Sequence, residues 1–173
     1  GKVKKSGFTP DASILTQPVP VEAQQRISEM ALDFIGVETK GPNAWARLDT
    51  TEHPFTSGYY DDVRVTTRFT ENWWPRSLFT VLHEGGHAVY DRNYPREYMY
   101  QPIGDRCSHG IHESQSKFLE NMVGRSPEFL AYVLPHLKKI AGKPFRGVKT
   151  KDFIAAVNRV QATTLRGQAD EIT

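Results

Sequence analysis

Apolar residues recur at helical spacing after Pro75 and predict an amphipathic helix in this part of the chain. Proline suits a first helical turn because its missing N–H would have no partner within the helix. The apolar residues that follow share one face: Leu78, Val81, Leu82 and Val89. Residues four apart form a neighbouring face: Phe79, His83, His87 and Asp91. The sequence therefore predicts one helix that packs by its apolar face and presents two histidines beside it.

The same periodicity predicts a helix on either side of this one. The earlier helix ends at Gly36 and carries its apolar residues on one face: Val21, Ile27, Met30, Ala31, Phe34 and Ile35. The later helix ends at Gly124 and has apolar residues at matching positions: Ile111, Phe118, Leu119 and Met122. Both helices are expected to pack against the fold by these faces.

Two more helices are predicted after Gly124. Ser126 and Pro127 are typical of a capped helix start, and this helix is expected to be interrupted by Pro135. Lys143 and Pro144 mark another break. Thr150 is expected to cap a last helix, which has these apolar residues: Phe153, Ile154, Val157, Val160 and Leu165.

Period-two alternation between residues 63 and 69 is typical of a half-buried strand. The segments 53–55 and 58–60 are expected to supply its antiparallel neighbour. We expect an edge of this sheet to lie beside the helix with two histidines, where a peptide can bind as an added strand. Residues 1–20 are polar and rich in proline, and predict an extended lead-in. The pattern as a whole predicts a mainly helical fold with a small antiparallel β-sheet.

Composition narrows the class of protein. A chain of 173 residues with 38% hydrophobic and 24% charged residues can bury one core of ordinary size. Its net charge of +2 is too small to imply nucleic-acid binding. No apolar run is long enough for a membrane span, and the first residues lack the apolar core of a signal peptide, so a cytoplasmic location is expected. Because Cys107 is the single cysteine, clustered-thiolate zinc modules are excluded.

The motif His83-Glu84-Gly85-Gly86-His87 carries the chemistry. Two histidines four residues apart leave the same helical face and suit two ligands of one divalent metal. Glu84 points elsewhere and is free to take a proton from water, as in His-Glu-x-x-His metallopeptidases. Glycine inside a helix costs about 0.8–1 kcal/mol relative to alanine. We therefore expect another backbone, or a bound peptide, to approach closely over Gly85 and Gly86.

A third ligand is expected from the helix that ends at Gly124. Glu113 is the best candidate, because it would deliver one carboxylate from a second helix. His112, His109 and Glu120 are rivals. Glu120 shares the face of Glu113 and is equally suited to hold a ligand in place, as Asp91 is on the first helix.

These residues belong to a series of motifs that resembles a known family, the zinc carboxypeptidases of the carboxypeptidase Taq type, also called thermostable carboxypeptidase 1. The motifs appear in this order: His53-Pro54-Phe55, Asp62-Val63-Arg64-Val65-Thr66, His83 to His87, His112-Glu113-Ser114-Gln115, and Leu165-Arg166-Gly167-Gln168-Ala169-Asp170. The resemblance implies a gluzincin-like pair of active-site helices within a longer, mostly helical metallopeptidase. It also implies that residues 21–173 are a partial catalytic domain, and that the full-length protein forms a homodimer.

The same resemblance implies the roles of several residues. His83, His87 and Glu113 would bind zinc, and Glu84 would be the catalytic acid and base. Arg166 would contact the terminal carboxylate of a peptide substrate, which its planar guanidinium suits.

Three further residues have two interpretations each. Arg64 either binds substrate or forms a cross-strand ion pair. His53 either positions substrate or locks the turn before Pro54. Gln115 either contacts substrate or holds the neighbouring Glu113 in place.

The predicted activity is zinc-assisted removal of single residues from peptide C-termini, with Glu84 as general base and acid. Cobalt or manganese are plausible substitutes for zinc. Two alternatives remain open at this point: another gluzincin peptidase, such as a dipeptidyl carboxypeptidase or oligopeptidase, or an inactive fragment that lacks the rest of the site.

Overall fold

The structure is a computed structural model that describes Gly7 and residues 9–159. Within this part of the chain there are five α-helices: α1 Val21–Phe34, α2 Pro75–Arg92, α3 His109–Lys117, α4 Pro127–Ala141 and α5 Thr150–Val157. A π-helical turn, Phe118–Val123, follows α3 directly. Three strands complete the fold: β1 Ala46–Thr50, β2 Thr56–Tyr59 and β3 Asp62–Thr67. The mainly helical architecture is the one that the periodicity predicts.

The sheet is mixed, which corrects the prediction of an antiparallel sheet. Its strand order is β1-β3-β2, with β1 parallel to β3 and β2 antiparallel to β3. After β1 the chain crosses to the far side of the sheet, where β2 runs in the opposite direction. The turn after β2 reverses the chain again, so β3 runs in the same direction as β1. No tight turn joins β1 to β3, and β1 contains few apolar residues. The sequence therefore gives no local signal of this pairing.

Strand β2 is the expected antiparallel neighbour of β3, and it forms a free edge of the sheet. Two residues, Tyr60 and Asp61, make the turn between them, and Tyr60 has a positive φ of 50°. Asp61 pairs with Arg92, the last residue of α2, and with Arg96 just after it, the Arg96 contact measuring 2.8 Å. These ion pairs hold the turn close to the end of α2. The predicted position of a sheet edge beside the histidine helix is confirmed, because Thr56 of β2 hydrogen-bonds to Glu84 of α2.

Helix α2 lies at the centre of the fold, in contact with α1, α3, β2, β3 and the π-helical turn. Its apolar residues Leu78, Val81 and Leu82 are fully buried. The ring of Trp74, just before α2, packs against Phe145 and Phe153, which closes the core towards α5. Because its buried side chains contact several elements, packing determines the position of α2.

Helix α4 continues through Pro135, and the predicted interruption there is wrong. An interior proline costs roughly 3 kcal/mol because it removes one hydrogen bond and crowds the preceding turn. The helix offsets this cost by burying apolar residues both before and after the proline: Phe129, Leu130, Val133, Leu134 and Leu137.

Two smaller expectations also need correction. Thr150 is the first residue of α5 and does not cap it; Lys149 takes the cap position without a side-chain hydrogen bond. Val160 and Leu165, predicted on this helix, lie outside the described residues.

The segment predicted as an extended lead-in packs against the core in its described part. It contains a 3-10 turn, Ser13–Thr16, and it buries Leu15 and Val19. The indole N–H of Trp74 donates to the carbonyl of Ile14 at 3.0 Å. Apolar side chains among the prolines therefore anchor the described part of this segment to the core. The division of the chain into a lead-in, residues 1–20, and a partial catalytic domain, residues 21–173, stays a prediction.

Among the described residues, no helix has both the length and the apolar content that crossing a membrane requires.

Candidate metal centre

Helices α2 and α3 bring His83, His87 and Glu113 together at one point. Glu113 Oε2 lies 3.6 Å from His83 Nε2 and 3.3 Å from His87 Nε2. One ligand atom from each of the three residues falls within 4.8 Å of the other two. Ligand atoms that surround one tetrahedral zinc ion lie about 3.4 Å apart. The spacing therefore fits a single metal ion.

The donor chemistry fits the same interpretation. Two imidazole nitrogens with one carboxylate oxygen suit zinc, and also cobalt or manganese. Both rings are largely buried, whereas the side chain of Glu113 is 48% exposed. Three protein ligands beside an open face are typical of a catalytic centre rather than a structural one.

Glu120 holds the ring of His83 from behind. Its Oε2 lies 2.9 Å from His83 Nδ1, so a proton on Nδ1 leaves the lone pair of Nε2 facing Glu113. Burial opposes ionisation of Glu120, but the contacts with His83 and Lys117 hold its pKa below the ordinary value. Glu120 therefore supports the candidate ligand His83 from the far side of its ring. It does not occupy the position of the third ligand.

His112 supports the second histidine by stacking. Its ring lies parallel to that of His87, with centroids 4.3 Å apart, and its Nε2 is 2.7 Å from Asp91 Oδ1. Asp91 was expected to hydrogen-bond to a ligating ring. This expectation is wrong, because Asp91 bonds to His112 instead. The same contact removes His112 as a rival ligand. The remaining rival, His109, is exposed at the start of α3.

The ring of His87 is held by packing. Its Nδ1 is buried and has no hydrogen-bond partner among the residues that the structure describes. Burial, with His112 and His83 nearby, lowers the pKa of His87 to about 4. The ring is therefore neutral near pH 7, as a metal ligand must be.

Glu84 lies buried beside this point and does not join the ligand cluster. Its Oε2 accepts a hydrogen bond from the hydroxyl of Thr56 at 2.8 Å. Burial raises the pKa of Glu84, although the hydrogen bond from Thr56 acts in the opposite direction. Glu84 and His83 border a cleft of about 960 Å³, which gives the carboxylate access to a ligand.

The two glycines of the motif have different surroundings. A Cβ on Gly86 would lie 2.6 Å from Ser116 Cα and 2.7 Å from Gln115 O, which are backbone atoms of α3. A Cβ on Gly85 would instead meet side-chain atoms, Ile35 Cδ1 at 2.4 Å and Leu32 Cδ2 at 3.1 Å. The expected close approach of another backbone is confirmed at Gly86, and it brings α3 to the metal centre.

Among the described residues, no hydrogen bond joins the side chains of His53, Arg64 or Gln115 to the candidate metal ligands. Arg64 is exposed and lies 3.4 Å from Asp62 on its own strand. His53 is exposed, and Gln115 donates to the neighbouring Ser114 rather than to Glu113. Arg166 lies outside the described residues.

Two residues of the site were missed by sequence reasoning. Thr56 reaches Glu84 from β2, and Ser116 donates to Glu113 Oε2 at 3.1 Å. Ser116 is three residues after Glu113, a spacing that places both on one side of a helix and was available as a signal. Thr56 gives no such local signal, because its partner is 28 residues away.

Comparisons with known proteins show the family of this chain. The whole chain, residues 1–173, matches the model of the carboxypeptidase Taq (M32) metallopeptidases. Thermostable carboxypeptidase 1 of Thermus thermophilus is 40% identical across 99% of this chain and 33% of its own length. Carboxypeptidase 1 of Bacillus subtilis is 36% identical across 99% of this chain and 34% of its own length.

Solved structures give the same result. A structure described as the BsuCP crystal structure matches with a TM-score of 0.87 and 34% identity, covering 95% of this chain and 33% of that one. Trypanosoma cruzi metallocarboxypeptidase 1 matches with a TM-score of 0.84 and 33% identity, covering 99% of this chain and 33% of that one. The chain therefore belongs to the carboxypeptidase Taq (M32) family of metallopeptidases. It spans about a third of the length of the curated relatives it matches.

Gly86→Ala is expected to weaken metal binding, because its methyl group must displace the backbone of α3 and with it Glu113. Overpacking of this kind costs about 1–3 kcal/mol. Gly85→Ala is the matched control, since it gives the same gain in helix propensity but its methyl group meets side-chain atoms of Ile35 and Leu32 rather than the backbone of α3. Zinc content after dialysis and the unfolding midpoint measure both effects. Equal zinc retention in the two variants would contradict this role of Gly86.

Glu120→Gln is expected to reduce zinc affinity roughly 10-fold, because a neutral amide still accepts the Nδ1 proton but no longer raises the basicity of His83. Competition with a chromogenic chelator measures the affinity. Glu97→Gln removes the same charge from an exposed residue and serves as the control. The hydrogen bond to His83 has no bearing on metal binding if both variants keep the parent affinity.

Proposed function

We propose that the protein is a zinc-dependent metallocarboxypeptidase that releases single residues from peptide C-termini. The observation that carries the proposal is the meeting of His83, His87 and Glu113 beside a buried Glu84. The named relatives are carboxypeptidases, which supports the same reaction class. The chain spans only a third of the length of those relatives, so the activity of the whole protein is also a proposal.

His83, His87 and Glu113 would hold the metal ion. A bound zinc ion supplies Lewis-acid activation of water and of the scissile carbonyl. Glu84 accepts the proton of the attacking water at its carboxylate and then passes it to the departing amine. Burial raises the pKa of Glu84, a direction that suits a group that must both take and release a proton.

The free edge of β2 offers a place for the peptide backbone. Thr66 N–H donates to the carbonyl of Phe55, so the antiparallel alternation turns the backbone groups of Thr56 towards the free edge. A substrate added there as a strand is recognised through main-chain hydrogen bonds that do not depend on its sequence. This supports broad specificity, with the peptide beside Glu84.

Recognition of the free C-terminus is assigned to Arg166, whose guanidinium suits a bidentate carboxylate contact. His53, Arg64 and Gln115 stay as further substrate contacts in the proposal. His53 and Arg64 are exposed and Gln115 is half-buried, and the contact of Arg64 with Asp62 involves a highly exposed pair. A cytoplasmic location and a homodimer of the full-length protein also stay predictions.

Glu84→Gln is expected to keep the metal and to lower peptide hydrolysis by at least about 100-fold, because general acid–base catalysis contributes this much. An N-blocked dipeptide is the substrate, and elemental analysis measures bound zinc. The exposed Glu97→Gln variant is the charge-matched control. Undiminished turnover in Glu84→Gln would remove Glu84 from the mechanism.

A tetrapeptide distinguishes the proposed activity from its alternatives. The expected first products are one free amino acid and a tripeptide, because cleavage removes one residue from the C-terminus. Mass spectrometry at early times identifies them, and an amidated tetrapeptide without a free carboxylate is the control. Release of a dipeptide would instead assign the protein to the dipeptidyl carboxypeptidases. Absence of any cleavage by the full native chain would favour an inactive protein.

A further inference from the structure

Thr56 is the single described residue whose side chain forms a hydrogen bond with the Glu84 carboxylate. Its Oγ1 lies 2.8 Å from Glu84 Oε2 and also 2.8 Å from the backbone carbonyl of Glu84. Glu84 is only 8% exposed, so water does not compete freely for this contact. Both partners sit on fixed elements, Thr56 at the start of β2 and Glu84 within α2.

The chemistry of the contact distinguishes the two carboxylate oxygens. A threonine hydroxyl has one proton to donate, and an ionised carboxylate is a stronger acceptor than a neutral carbonyl. Oε2 of the ionised Glu84 is therefore engaged by Thr56. Oε1 makes no hydrogen bond with the described residues.

We propose that Thr56 is a positioning residue that fixes Oε1 of Glu84 as the atom that exchanges the proton. The inference rests on the proposed function of Glu84. Holding Oε2 restricts rotation of the carboxylate about its last bond and leaves Oε1 without a hydrogen-bond partner among the described residues.

The backbone of Thr56 adds a second consequence. Its N–H and carbonyl face the free edge of the sheet, where the proposed peptide binds. One residue therefore contacts both the substrate backbone and the general base. A displacement of about 1 Å at a reacting group lowers turnover by roughly 100-fold, so a shared anchor of this kind has a large effect on kcat.

Thr56→Val removes the hydroxyl while keeping the shape of the side chain. We expect kcat for an N-blocked dipeptide to fall about 10- to 100-fold, with KM, zinc content and the unfolding midpoint nearly unchanged. Thr56→Ser restores the hydroxyl and should recover most of kcat. Thr67→Val is the matched control on β3, since the buried Thr67 hydroxyl has no partner among the described residues.

A binding measurement separates positioning from a purely structural role. In a Glu84→Gln background, calorimetry should give the same affinity for an uncleaved peptide with or without Thr56→Val. The positioning role is overturned if Thr56→Val lowers zinc content or peptide affinity in step with kcat, or if Thr56→Ser fails to rescue turnover.

The outcomes also separate this inference from the proposed function. Full hydrolysis by Glu84→Gln overturns the proposed function and the role of Thr56 with it. Loss of hydrolysis in Glu84→Gln, together with wild-type kcat in Thr56→Val, overturns the role of Thr56 alone.

Discussion

The contact between Gly86 and the backbone of α3 is the constraint on which the metal centre depends. A Cβ at position 86 would meet Ser116 Cα at 2.6 Å, so only glycine lets the two helices approach this closely. Ser116 is fully buried and donates to Oε2 of Glu113. The residue that touches Gly86 therefore also holds the carboxylate, and His87 is the next residue on α2. The distances of Glu113 Oε2 to the two imidazoles follow from this one helix contact.

The polar residues around the centre come from the same two helices and the π-helical turn after them. Glu120 hydrogen-bonds to His83, and Asp91 bonds to His112, which stacks on His87. Each imidazole thus has a different support, one electrostatic and one by packing. Buried polar groups are costly without partners, so these paired contacts stabilise the helix pair as well as orienting the ligands.

Local patterns in the sequence predicted those features that local spacing determines. The start of α2 at Pro75 and the shared face of His83 and His87 follow from helical periodicity. Glu113 was the preferred one of four candidates for the third ligand, and the family resemblance singled it out. Features that depend on distant contacts escaped prediction. The parallel pairing of β1 with β3 involves no tight turn, the hydrogen bond from Thr56 to Glu84 spans 28 residues, and α4 passes through Pro135 because its burial outweighs the cost. The partner of Asp91 was misassigned for a similar reason, since helical spacing placed it near His87 but could not position the ring of His112.

Two carboxylates lie close together at this centre, and their surroundings separate their chemistry. The side chain of Glu113 is 48% exposed, and its Oε2 faces both imidazoles where a cation would bind. Glu84 is enclosed between α2 and β2, and burial raises its pKa. A carboxylate that serves as a ligand must stay ionised, whereas one that carries a proton must be able to change state near neutral pH. By covering Glu84, β2 therefore gives two residues of the same type different surroundings and different chemical properties.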